Sequence, residues 1–133
     1  MRRPGLVRFP SDIGPQDFAE GAVAVLTAET TEPNAVYELA GDESYSMTEF
    51  AAAISAAAGK PVSYSDMSES EFASLLEAAG LPGPIATMLA DSDAGTAKGG
   101  LEDNSRTLSR LIGRPTTPWR DSVGEAVTAS GAI

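Results

Sequence analysis

The apolar positions of the chain recur mostly at helical spacing, broken by two brief stretches with strand-like composition. Gly14-Pro15 opens the first helix, because proline suits the first helical position. Phe18, Ala22, Val25 and Leu26 then fall on one face. Glu32-Pro33-Asn34 predicts a turn, and residues 36–39 (VYEL) a short strand stopped at Gly41. Two helix starts carry paired signals. Ser46 and Glu49 have capping-box spacing, flanked by Tyr45 and Phe50 at staple spacing. Ser68 and Glu71 repeat the box, with Met67 and Phe72 as the staple. The first of these helices is expected to bury Phe50, Ile54, Ala57 and Ala58 and to stop at Gly59. The second is expected to bury Phe72, Leu75, Leu76 and Ala79 and to stop at Gly80.

Residues 62–65 (VSYS) lie between these helices and read as a second strand. Strand, helix, strand predicts a parallel βαβ unit with a right-handed crossover. A two-strand parallel sheet rarely stands alone. The fold class expected is therefore α/β: a mostly helical subdomain with a short parallel βαβ unit, whose larger sheet lies elsewhere. After Pro82 and Pro84, Ile85, Met88 and Leu89 form another helical face, and residues 91–100 read as a fraying helix end or a loop. Leu108, Leu111 and Ile112 sit on a short helix closed by Gly113. Thr117 is expected to cap a last helix opened by Pro118, anchored by Trp119, with Val123 and Val127 facing in.

Composition narrows the chemistry. The 133 residues suit one domain, and 42 % apolar against 21 % charged residues allows a core. Only 6 % are aromatic, so small side chains must do most of the packing. There is no cysteine and no histidine. That removes disulfides, thiolate metal sites and His-dependent triads together. The net charge is −10, and Lys60 is the one basic residue between Phe9 and Ala97, against fifteen acids. Such a surface repels phosphate backbones, so nucleic acid is not the expected partner. Neither a signal peptide nor an apolar run of about 20 residues is present, so no membrane partner is expected and the cytoplasm is the expected location.

The usual motifs fail on inspection. No segment has G-x-G-x-x-G, and Gly59-Lys60 lacks the earlier glycine of a Walker loop, since Ile54 stands there. Tyr37, Tyr45 and Tyr64 are followed four residues on by Gly41, Glu49 and Ser68, so none forms the Tyr/Lys pair of many short-chain reductases. Asp91, Asp93 and Glu102 match three positions of a calcium loop, but Gly95 and Thr96 break it, and no metal site is expected. Arg106, Arg110 and Arg114 are four apart. They would share a face if the helix persisted, to pair with acids or to meet a phosphate.

The run Ala90-Asp91-Ser92-Asp93-Ala94-Gly95, then Ala97-Lys98-Gly99, then DNSRTLSRLIGRPTTP over residues 103–118, resembles the C-terminal region of the NmrA-like atypical short-chain dehydrogenase/reductases. Within that family it is most similar to the bacterial NAD(P)H:quinone oxidoreductase type. VYELAG from Val36, the helix from Phe50 to Lys60 and the stretch from Leu75 to Pro82 fit the same order. The resemblance covers residues 17–127 and leaves residues 1–16 as a segment outside the family pattern.

It implies NAD(P)H as cofactor and a quinone-like acceptor in the complete family member, with the nucleotide bound by an N-terminal half that this chain does not contain. No catalytic or cofactor-binding residue of the family maps here. This chain is therefore expected to shape the acceptor pocket and to be inactive and cofactor-free by itself. Met88, Asp91 and Asp93 are the candidates for the pocket wall. Self-association, or pairing with a nucleotide-binding half, is the expected assembly. A non-catalytic NAD(P)-sensing regulator and an interaction module needing a partner chain are the alternative readings.

Overall fold

A computed structural model describes residues 8–10 and 14–131. Of residues 1–16, positions 1–7 and 11–13 lie outside the described residues. The elements are β1 (Arg8–Pro10), α1 (Pro15–Leu26), β2 (Ser44–Ser46), α2 (Met47–Ala58), α3 (Glu69–Ala78), α4 (Gly83–Ala97), α5 (Thr107–Ile112) and α6 (Trp119–Ala129). The helices associate in pairs: α3 with α4, α2 with α6, and α1 with α5.

Local signals set the starts of α2 and α3. Both capping boxes form. The Ser46 hydroxyl accepts from the Glu49 amide while the Glu49 carboxylate accepts from the Ser46 amide, and Ser68 and Glu71 do the same. Gly59 ends α2 in the left-handed conformation at φ 63°, which a Cβ would strain. The staple partner Tyr45 goes further than its local role. It stacks on Phe50 at 5.3 Å and on Trp119 at 4.6 Å. With Val123 these rings make the main core, bordered by Met47, Ala53, Ile54 and Val127. The Arg120 guanidinium lies over the Trp119 ring at 4.3 Å.

The sheet differs from the expected parallel unit. Among the described residues the one ladder pairs β1 with β2 antiparallel, in the register Arg8↔Ser46, Phe9↔Tyr45, Pro10↔Ser44. Residues 36–39 and 62–65 are irregular chain. A strand requires a ladder partner, and at Val62 the backbone is occupied otherwise. Its amide donates to the Ser55 hydroxyl at 2.8 Å, and its carbonyl accepts from the same hydroxyl at 2.9 Å. The mostly helical character expected of this part of an α/β fold is what the structure shows.

Two helix faces also differ. On α1 the buried residues are Asp17 and Gly21, whereas Phe18 is 54 % and Leu26 83 % exposed. A Cβ at Gly21 would sit 2.7 Å from Leu108 Cδ1, so glycine is what lets α1 and α5 approach. On α3 no residue is fully buried, and Leu75 and Ala79 are exposed. Helix α4 runs on to Ala97 through the stretch expected to fray. It is held by Ala86 and Ala90 in the interior and by the Thr96 hydroxyl on the Ser92 carbonyl. Ile85, Met88 and Leu89 on this helix are exposed.

Candidate functional site

A cleft of about 530 Å³ opens between the start of α2, the segment leading into α3, α3 itself and the second half of α4. Each wall follows from a local feature. The Ser46 cap places Met47 at the first turn of α2, and the Ser68 cap fixes where Met67 and Glu69 stand and presents Phe72 one turn on. Because α4 stays helical beyond Asp91, Ala90, Asp93, Ala94 and Ala97 come to one side of it, with Lys98 at its end. Tyr64, Ser65 and Asp66 complete the wall. The floor is thus thioether, ring and methyl surface, and the polar groups are few and identifiable.

The Tyr64 hydroxyl donates to Asp66 Oδ1 at 3.0 Å. Burial, the Asp66 hydrogen bond and the negative charges of Asp66 and Asp93 all push the Tyr64 phenol above its ordinary value of 10.0. It is a neutral phenol at physiological pH. Because its O–H is engaged by Asp66, the hydroxyl oxygen can face a ligand only as an acceptor. Of the residues the sequence points to, Asp93 lines the cleft; Met88 and Asp91 are exposed elsewhere on α4 and are not in its wall. Tyr64, Met67 and Phe72 read from the sequence as strand, staple and core residues. The continuous helix from Gly83 to Ala97 is what makes them one site.

The arginines divide. Helix α5 holds only Arg110, whose guanidinium donates to the Ser105 carbonyl and to Thr107 Oγ1. Arg106 precedes the helix at φ 54°, and Arg114 follows Gly113 and turns back to α1. There it meets Asp17 Oδ1 at 2.7 Å and Glu20 Oε2 at 2.9 Å. Asp17 is fully buried and also accepts from the Thr117 amide and hydroxyl. Thr117 therefore serves Asp17 and does not cap α6, whose first turn has no side-chain cap. A second aspartate secures the same segment: Asp42 accepts from the Thr116 amide at 3.0 Å and from the Ser109 hydroxyl.

Burial alone would raise the Asp17 carboxyl, but the Thr117 amide, Arg114 and the Thr117 hydroxyl outweigh it and hold it below 3.8. A depressed carboxylate contributes stability that is present above its unfolded value and is lost as pH falls through the folded one. Asp17→Asn is therefore expected to cost roughly 1–3 kcal/mol at pH 7, because it removes the charge that Arg114 pairs with and turns an amide NH2 toward donors that the lost oxygen served. It should also flatten the fall in melting temperature below about pH 4. Thermal melts of both proteins from pH 3 to 7 check this. Equal melting temperatures at pH 7 would contradict it.

Among the described residues there is no phosphate-binding turn for a dinucleotide. A pyrophosphate needs converging backbone amides at a glycine-rich turn ahead of a helix. Here the left-handed glycines Gly59, Gly80, Gly99, Gly113 and Gly131 all follow helix ends, and α1 and α4 open on prolines that lack an amide proton.

No family model matches the chain. Over 107 residues, 80 % of the chain, it is 49 % identical to quinone oxidoreductase 2 of Escherichia coli (strain K12). The chain is a homologue of the C-terminal region of the NmrA-like family. The family fold agrees in structure as well. The NADPH-dependent quinone oxidoreductase of Escherichia coli superposes with a TM-score of 0.81 at 43 % identity, covering 92 % of this chain and 45 % of that one. The triphenylmethane reductase of Citrobacter sp. superposes with a TM-score of 0.82 at 28 % identity, covering 93 % of this chain and 42 % of that one. The chain thus spans less than half the length of these relatives, 37 % of the Escherichia coli protein in sequence. Among the described residues no helix is long and apolar enough to cross a membrane.

Proposed function

We propose that this chain is the acceptor side of an NAD(P)H-dependent quinone oxidoreductase and that the cleft over Tyr64, Met67 and Phe72 receives the acceptor ring. The observation that carries the reading is the cleft itself: a slot whose surface is mostly apolar, in a chain 49 % identical over 107 residues to a quinone oxidoreductase. A flat ring buried there loses water on both faces, against Phe72 and the methionine sulfurs. Ser65 and Lys98 are the groups in the wall able to donate to a ring oxygen. Asp93 is the member of the sequence-derived trio that belongs to this pocket; Met88 and Asp91 act at most from outside it.

The nicotinamide nucleotide is held by chain that lies outside residues 17–133, since the residues here offer it no cradle. Its contribution when bound is the hydride. The chain's own residues enclose the acceptor, orient its oxygens and exclude water. The reading places the protein in the cytoplasm, where soluble NAD(P)H is at hand.

The test is a titration of the isotope-labelled chain with duroquinone, a neutral and fully methylated quinone that resists adduct formation. Amide and methyl resonances of Met47, Tyr64, Met67, Phe72 and Ala94 are expected to shift together, and those of α6 to stay. Shifts absent from the cleft, or centred on α6, would overturn the assignment.

A further inference from the structure

Residues 114–118 (RPTTP) join α5 to α6 without a helix or strand of their own. Pro115 and Pro118 have no amide proton to give. The two amides between them both go to aspartate side chains far away in sequence. Thr116 donates to Asp42 Oδ2 at 3.0 Å, and Thr117 to Asp17 Oδ2 at 2.6 Å. The hydroxyls double each tie: Thr116 Oγ1 accepts from the Asp42 amide at 2.8 Å, and Thr117 Oγ1 donates to Asp17 Oδ1 at 3.1 Å. Arg114 adds its guanidinium to Asp17 and Glu20. Asp17 itself is fully buried.

This segment stands between two helix pairs, α1 with α5 and α2 with α6. Among the described elements no contact of comparable extent joins a helix of one pair to a helix of the other. We propose that residues 114–118 are a latch between two cooperative units: α1 and α5 open together when the Asp17 clasp on Arg114 and Thr117 breaks, while α2 and α6 stay folded. Opening also frees Ser109 of α5 from Asp42.

The two units differ in what holds them. Helix α5 has six residues, too few to be helical by itself. Its buried side chain is Leu108, against Gly21 of α1. On α1 the buried residues are Asp17 and Gly21, while Phe18, Val23 and Leu26 are exposed. Helices α2 and α6 share Tyr45, Trp119 and Val123, with Met47, Phe50 and Ile54 around them. Little buried apolar surface places a segment at the low end of local stability. The polar clasp therefore carries a larger share of the α1/α5 unit than of the ring core. Closed, it presents Phe18, Val23 and Leu26 from a fixed helix; open, it withdraws that helix.

Native-state amide hydrogen exchange on the full chain, at increasing urea below the unfolding transition, tests this. The amides of α1 and α5, with those of Thr116 and Thr117, are expected to share one protection factor, lower than that of α2 and α6 and less dependent on urea, because their opening exposes less surface. Two variants separate the units. Val123→Ala thins the ring core, so it is expected to speed the α2 and α6 amides about tenfold. It should leave the α1 and α5 amides within twofold, since their opening keeps that core intact. Asp17→Asn is expected to speed the α1, α5 and Thr117 amides by about fivefold to a hundredfold. The α2 and α6 amides should follow, because complete unfolding breaks the same clasp.

If Val123→Ala speeds both sets equally, the chain is one cooperative unit and the latch is wrong. Unchanged protection of Thr117 and α1 in Asp17→Asn would overturn it as well. Should Asp17→Asn not fold, the original chain and Val123→Ala decide between one unit and two.

Discussion

Replacing Trp119 with alanine is expected to remove most of the chain's folding stability. Trp119 is 2 % exposed and is the largest fully buried side chain among the described residues. It joins two helices whose own cores are slight. On one side it meets Tyr45 and Phe50 at the start of α2, at ring separations of 4.6 and 6.1 Å, and on the other it begins α6. Large-to-small changes of a buried tryptophan cost about 3–5 kcal/mol, as lost transfer energy and residual cavity. Few other large side chains in the described residues are buried, so neighbours have little material with which to fill the hole.

Against a total stability of about 5–15 kcal/mol for domains in general, such a loss is decisive. Trp119→Phe keeps the ring stack and is expected to lose about half as much. Urea unfolding followed by far-ultraviolet circular dichroism checks both. A loss under about 1 kcal/mol for the alanine variant would mean that the α2–α6 pair does not depend on this core.

What was legible in the sequence is what depends on neighbours in sequence. Ser46 with Glu49, and Ser68 with Glu71, specify two helix starts because both partners of each hydrogen bond lie within one turn. Gly59 and Gly113 mark helix ends for the same reason, each taking a left-handed conformation that other residues resist. The burial of Asp17 was not legible. Its partners Arg114 and Thr117 are about a hundred positions away, and a charged residue on a helix reads as solvated until they are in place.

The same holds for α1, where an apolar stripe through Phe18 and Leu26 points outward while Gly21 faces α5. The strand expected at Val62 was lost to a side chain, Ser55, that answers its backbone from within α2. The cleft was half legible. Asp93 was named, but reading residues 91–100 as a fraying helix end or a loop hid the regular α4 face that brings Ala90, Asp93, Ala94 and Ala97 opposite Tyr64 and Phe72.

The second large effect concerns catalysis. Phe18, Leu26 and Val36 are among the most exposed large apolar side chains of the described residues, Leu26 and Val36 at 83 % and 84 %. Apolar area left in water is unfavourable by roughly 25 cal/mol per Å², and contiguous exposed patches mark surfaces that pack on something else. The relatives of known structure are more than twice as long, and these side chains are expected to pack on the nucleotide-binding part of the family fold. Joining that part to the chain is expected to cover these side chains, close the acceptor cleft against the nicotinamide and bring activity from nothing to turnover.

The direct measurement is NADPH oxidation with duroquinone by three samples: the chain alone, the nucleotide-binding part of Escherichia coli quinone oxidoreductase 2 alone, and a single-chain fusion of that part to this chain. The account predicts rates at the buffer level for each part and a rate at least a hundredfold higher for the fusion, lowered when Phe72→Ala opens the cleft. A fusion that folds and binds NADPH yet leaves duroquinone unreduced, or turnover by the chain alone, would contradict it.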